Sequence, residues 1–284
     1  MSYDRISAGT SVRSRLDRFT FKHLLGLTLI LVAATILLGV AARATGAGLA
    51  CEANWPQCDA GPYNLFPANL PSFYEWIHRF VAMFAGFAIV GTAIAAWRNA
   101  KIDRLITSLV VAGMVLTPIQ VVLGRETVLQ YELTILSLHF WTAVLIFAIF
   151  VVATILVWVP AFTGGHVTLA LAFGALTVPL HVALSPVIVS DITTYSPEIQ
   201  TAQYGVTLAL LTVGIFVPMV GRRRFNGNQF GALAFGVPVL ALLVIVLGRR
   251  SVMTLAPVLD LLYVVVAIIL FLTFLAGVLL ARAR

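Results

Sequence analysis

Residues 121–128 read VVLGRETV, and residues 245–252 read IVLGRRSV. An LGR tripeptide recurs between them at an offset of 124 residues. So short a match draws its weight from where it falls. The apolar runs of the chain are 22–43, 73–97, 104–124, 133–159, 167–189, 200–220, 230–248 and 256–281, so the two octets close the third and the seventh. A bilayer span needs about 20 apolar residues. In lipid each run must be a helix, because its backbone has no other source of hydrogen-bond partners. The expected fold is an all-α membrane protein: eight transmembrane helices in two tandem four-helix bundles, a parallel pseudo-repeat. Residues 1–21 then form an N-terminal segment, 22–159 the N-terminal bundle and 160–284 a degenerate C-terminal copy.

The bulk composition agrees. The 284 residues are 61% hydrophobic and 10% charged, with a mean hydropathy of +1.02, which leaves too little polar surface to cover a soluble globule. The first run is long, follows a polar segment and lacks a small-residue cleavage site, so it reads as a span and not as a cleaved signal. With the N-terminus inside, thirteen Lys and Arg fall on inner segments and five on the outer side: Arg43, Arg79, Arg125, Arg249 and Arg250. That asymmetry predicts a multi-pass protein of the cell membrane with both termini cytoplasmic. The net charge of +7 is then a topology and lipid-anchoring signal; nucleic-acid binding would need a basic folded face, which the pattern lacks. Membrane lipid is the expected surrounding partner, and a homo-oligomer is compatible with the pattern.

Between the first two spans lies LACEANWPQCDAGPYNL, residues 49–65, which holds both cysteines of the chain, Cys51 and Cys58. On this orientation they face an oxidising compartment, where a disulfide is plausible. Pro56, Pro62, Pro67 and Pro71 stiffen the loop. The pair either staples the loop shut or exchanges electrons. A zinc site is disfavoured, because two sulfurs with no histidine in the loop do not fill a tetrahedron.

Ionisable residues within spans mark function by default. His78 lies about five residues into the second span from the outer side, and His139 about six residues into the fourth. At 1.5 Å per residue they stand at nearly the same depth. If spans two and four occupy diagonal corners, both imidazoles face the bundle centre and can grip a flat macrocycle through its iron. Glu75, three residues before His78, sits one turn further out on the same face, where a carboxylate can handle protons or polarise a reacting group. Arg43, Arg79 and Arg125 stand at the outer rim, suited to anionic groups. A di-iron site would need more inward carboxylates. A single buried histidine more often bridges helices by hydrogen bonds, which is the expectation for His181. The offset of 124 carries His139 to Tyr263, His78 to Ala202 with Gln203 beside it, and Glu75 to Ile199. The second half therefore cannot repeat the first half's chemistry.

RATGAGLACEANWPQC at 43–58, EWIHR at 75–79 and LHFW at 138–141 together resemble the haem A synthase family. The match rests on Arg43, Thr45, Gly46, Gly48, Leu49 and Cys51, on Trp55, Pro56 and Cys58, and on Glu75, His78 and Arg79, and it covers residues 40–145. The resemblance implies the same two-bundle plan and the oxidation of a haem O methyl to a formyl group, giving haem A for terminal oxidases. It makes His78 and His139 the ligands of the substrate haem iron, Glu75 the acid–base or cation-stabilising residue, and Cys51 and Cys58 a disulfide. Partners implied are a haem O-producing enzyme and the terminal oxidase assembly machinery. Family members with eight helices usually bind a second haem, haem b, through another histidine pair, which this chain lacks. Three outcomes stand open for its second bundle: a structural role, a haem held through His181 or Tyr263, or a chain that has lost catalysis. The first is favoured, because compact four-helix relatives suggest that one bundle suffices. The alternatives to a synthase are a non-catalytic bis-histidine electron carrier or oxidase assembly factor, and a quinone-linked thiol oxidoreductase working through Cys51 and Cys58.

Overall fold

The computed structural model describes residues 20–47, 55, 67, 69–225, 227–254 and 256–283. Cys51, Cys58 and residues 1–19 lie outside them. Among the described residues eight helices are long and apolar enough to cross a membrane, and the chain is a multi-pass all-α membrane protein. They are α1 (Phe21–Ala44), α2 (Leu70–Arg98), α3 (Arg104–Leu129), α4 (Leu133–Trp158), α5 (Gly164–Ala183), α6 (Pro197–Arg224), α7 (Asn228–Met253) and α8 (Pro257–Arg282).

Local chemistry sets their ends. Asn69, Asp103 and Ser196 cap α2, α3 and α6 by accepting backbone N–H bonds from Ser72, Leu105 and Ile199, which satisfies donors the first turn leaves open. Pro71, Pro197 and Pro257 lie in the first turns of α2, α6 and α8, where a missing N–H costs nothing. Three expected boundaries shift. The fifth span does not run through to 189: α5 ends at Ala183, and a separate turn, Pro186–Val189, follows. Pro186 holds Ser185 in the extended region, because the residue before proline is pushed out of the helical well. The octets at 121–128 and 245–252 do close the third and seventh helices, but those helices end at Leu129 and Met253, not at 124 and 248 where the apolar runs stop. Each LGR glycine and arginine therefore stands inside a helix.

The helix bounds bring out the repeat. Arg104–Leu129 and Asn228–Met253 coincide at the 124-residue offset, as do Leu133–Trp158 and Pro257–Arg282. In the first half, α1 and α3 each pack against both α2 and α4, which leaves α2 and α4 on opposite corners; in the second, α5 and α7 each pack against α6 and α8. The halves meet where α6 lies against α1 and α4. The end at which α1, α3, α5 and α7 finish is called upper here. Toward the lower end a continuous apolar core joins the halves, with Leu25, Val110, Phe150, Leu171, Phe230 and Phe274 fully or almost fully buried. The rings of Phe150 and Phe274 fit where Gly113 and Gly174 carry no side chain, the close approach small residues permit between membrane helices. Toward the upper end the halves differ. The first opens into a cavity and the second is filled with polar side chains.

Candidate functional site

The cavity has a volume of about 910 Å³, at the upper end of the range of small-molecule sites. Its walls carry Glu75, His78 and Arg79 from α2, His139 from α4, Arg43 from α1 and Gln120 from α3, set in apolar residues such as Val32, Ile36, Ala143 and Ile146. The diagonal placement of α2 and α4 brings both imidazoles to the wall of one cavity.

His78 sits in a slot cut into α1. Its Nδ1–H donates to the Thr35 carbonyl at 3.0 Å; a carbonyl only accepts, so the proton is on Nδ1 and the lone pair is left on Nε2. One turn along α1, Gly39 faces the same ring. A Cβ there would lie 2.9 Å from His78 Cε1. His139 is seated in the same manner against Gly124, whose absent Cβ would lie 3.0 Å from its Cε1. Its Nε2 stands 3.5 Å from the Gln120 amide nitrogen, the outer limit of a hydrogen bond. His139 Nδ1 and Gln120 Oε1 are both buried with no hydrogen-bond partner. Buried polar atoms are normally satisfied, so this ring is held in place sterically while its bonding capacity stays open. Glu75 is 7% exposed and accepts from Arg79 Nε at 2.9 Å across one turn of α2, beside His78. Among the described residues no three of His, Cys, Asp or Glu gather into a metal cluster. The chemistry this arrangement can offer a metal is two neutral imidazoles, the rest of the coordination coming from the ligand itself.

The other expected residues are distributed as follows. Arg43 lines the cavity; its Nη2 donates weakly to Met253 Sδ at 3.3 Å and its Nε has no partner. Arg125 does not line it. Its side chain is half exposed and pairs with Glu126 at 3.1 Å. Sequence reasoning missed Gln120, Gly39 and above all Arg249, which reaches the cavity from the second half. The LGR repeat was the signal: it pairs Arg125 with Arg249 at the offset, and only the second member turns toward the cavity.

In the second half, the position of the His139 ring is taken by Tyr263, packed together with His181 against Gly248 as His139 packs against Gly124. Thr207 donates to the Gln203 carbonyl at 2.9 Å, so His181 Nε2–H must donate to Thr207 Oγ1 at 2.9 Å, and the Tyr263 hydroxyl donates to His181 Nδ1 at 2.7 Å. Tyr195 donates to Gln203 Oε1 at 2.5 Å. Ala202, which the offset pairs with His78, is exposed, and Gln203 turns inward instead. His181 thus bridges α5, α6 and α8 with both ring nitrogens engaged, so neither is open to a metal in this arrangement.

Comparison with known proteins finds relatives of two kinds. The chain is 32% identical to a haem A synthase of Bacillus licheniformis over 142 residues, 48% of this chain and 46% of that one. It is 34% identical to a haem A synthase of Alkalihalophilus pseudofirmus over 131 residues, 46% of this chain and 44% of that one. A protohaem IX farnesyltransferase of Halobacterium salinarum is 35% identical over 119 residues, 42% of this chain and 26% of the relative. The chain spans less than half the length of each of these relatives. No family model matches, and no solved structure matches significantly.

Proposed function

We propose that this chain, whose curated relatives support assignment to the haem A synthase family, is a membrane haem-modifying oxidoreductase that oxidises a methyl group of haem O to a formyl group, giving haem A. The observation that carries this reading is the pair His78 and His139, from opposite corners of one bundle, on a single cavity with Glu75 beside them. The residues fit a porphyrin iron. His78 keeps its Nε2 lone pair available because Thr35 takes the other proton, the second-shell device that orients metal-bound imidazoles. The orphaned Nδ1 of His139 and the glycines behind both rings describe side chains fixed in position and unsaturated in bonding.

When bound, the haem iron supplies the oxidising centre, with an oxidant and electrons from outside the chain. Two successive hydroxylations of the methyl carbon followed by loss of water leave the formyl group. The protein's part is positional and electrostatic. His78 and His139 hold the ring at one depth. The Glu75 carboxyl group, aimed by Arg79, stabilises positive charge developing at the reacting carbon and takes up the proton released as oxygen is added. Val32, Ile36, Ala143 and Ile146 keep bulk water from the ring. Arg43 faces the propionate edge. With both termini cytoplasmic, the cavity opens toward the outer face, and Cys51 and Cys58 would join as a disulfide. The polar cluster inside the second bundle is structural in this reading, since His181 is held by Tyr263 and Thr207 and Gln203 by Tyr195. Haem O arrives from an enzyme that farnesylates haem, and haem A leaves for terminal oxidase assembly.

The test is pigment analysis. Purified protein supplied with haem O binds it with a low-spin bis-imidazole spectrum, and under turnover the extracted pigment gains the mass and absorption of the formyl product. Failure to bind any haem under these conditions overturns the assignment. Binding without conversion, unaltered by Glu75→Gln, leaves a haem carrier.

A further inference from the structure

Five arginines stand toward the upper end, and three are in ion pairs: Arg79 with Glu75, Arg125 with Glu126 and Arg250 with Asp260. The other two, Arg43 and Arg249, have no carboxylate within ion-pair distance among the described residues, and both line the cavity. Arg249 is 7% exposed. It donates through Nη1 to the Tyr204 hydroxyl at 2.5 Å, its guanidinium lies 4.3 Å over the Phe140 ring, and its Nε has no partner. All these contacts are neutral. A buried guanidinium without a counter-ion is costly, and one that also faces a cavity is set up for an anion.

The two cations are close neighbours from different halves of the chain. Arg43 reaches Met253, one turn beyond Arg249 on α7, and both arginines line the same cavity. Each also flanks one of the imidazoles: Arg43 lies one turn past Gly39, which touches His78, and Arg249 stacks on Phe140, the neighbour of His139.

We propose that Arg43 and Arg249 form a two-guanidinium site for the paired propionate carboxylates of a porphyrin, with the second bundle supplying half of this anchor. The proposal rests on the haem reading above. Two carboxylates meet two cations that no carboxylate among the described residues compensates, so their charges offset at that edge. Of the three rim arginines expected from sequence, Arg43, Arg79 and Arg125, Arg43 stays in the anchor and the repeat-mate of Arg125 joins it. It also gives the second half a task at the first half's site.

The test uses the purified full-length protein titrated with ferric protoporphyrin IX and, separately, with its dimethyl ester, which keeps the ring and iron but carries no propionate charge. Arg249→Met is expected to weaken binding of the free acid about tenfold or more and to leave the ester within about twofold of wild type. Arg249→Lys, which keeps the charge and guards against a packing artefact, should recover part of the loss for the free acid alone. Equal losses for acid and ester in Arg249→Met, or no loss for either, overturn the anchor while leaving the haem reading intact. A wild-type protein that binds neither probe overturns both.

Discussion

The slot that holds His78 can be closed by a single methyl group. In Gly39→Ala the new carbon would lie 2.9 Å from His78 Cε1 and 3.4 Å from Nε2, whereas carbon pairs are comfortable at about 3.5–4.0 Å. The imidazole must therefore retreat by roughly 0.6 Å or more, away from α1. The same ring is tied to α1 by its 3.0 Å bond to the Thr35 carbonyl, so the retreat stretches that bond and swings Nε2 off its line into the cavity. Overpacking of this kind costs about 1–3 kcal/mol. Drawn from the ligand-competent position, that is a loss of about 5- to 150-fold in haem affinity. Titration of the purified variant with haem, followed by the Soret band, reads this directly, and the low-spin bis-imidazole signature should weaken in parallel. Gly26→Ala is the control: it lies on the same helix with nothing within 4 Å of the added Cβ, and its affinity should equal wild type. A Gly39→Ala protein with wild-type affinity and spectrum would refute the idea that His78 binds from this slot.

Three further outcomes follow from the same geometry. Glu75→Gln should keep haem bound yet lower product formation about 10²- to 10⁴-fold, the usual contribution of a positioned acid–base group, measured by pigment conversion per bound haem. Tyr263→Phe removes the donor to His181 Nδ1 and leaves a buried acceptor unsatisfied, at a cost of about 1–3 kcal/mol; the thermal midpoint should fall while haem content is unchanged, and a loss of pigment would place haem in the second bundle. Thr28→Val breaks the 2.8 Å hydroxyl pair with Thr92 that links α1 to α2. Because such bonds contribute about 0.6 kcal/mol on average in membrane proteins, only a small drop in stability is expected, and a collapse of folding would contradict it.

Hydropathy and residue order carried the architecture. Eight apolar runs could be read one by one because a lipid-embedded backbone must bond to itself, which makes each run a helix whatever its neighbours do. The LGR repeat located matching helices for the same reason, since insertions collect in loops while helix lengths are held by bilayer thickness. Glu75 and His78 share a helical face through their spacing alone. Boundaries slipped where local chemistry outweighed hydropathy, as at Pro186 and one turn past each LGR.

Which side chains share the cavity was decided by tertiary structure. His78 and His139 meet because α2 and α4 take diagonal corners, and that follows from how α1 and α3 pack between them. Arg125 and Arg249 hold the same place in the repeat, yet one pairs with Glu126 at a half-exposed surface and the other is buried against Tyr204 and Phe140 at the junction of the halves. Helix periodicity is a property of consecutive residues and is written along the chain. The direction of a long cationic side chain depends on which helix lies across from it, and that is set by the packing of all eight spans together.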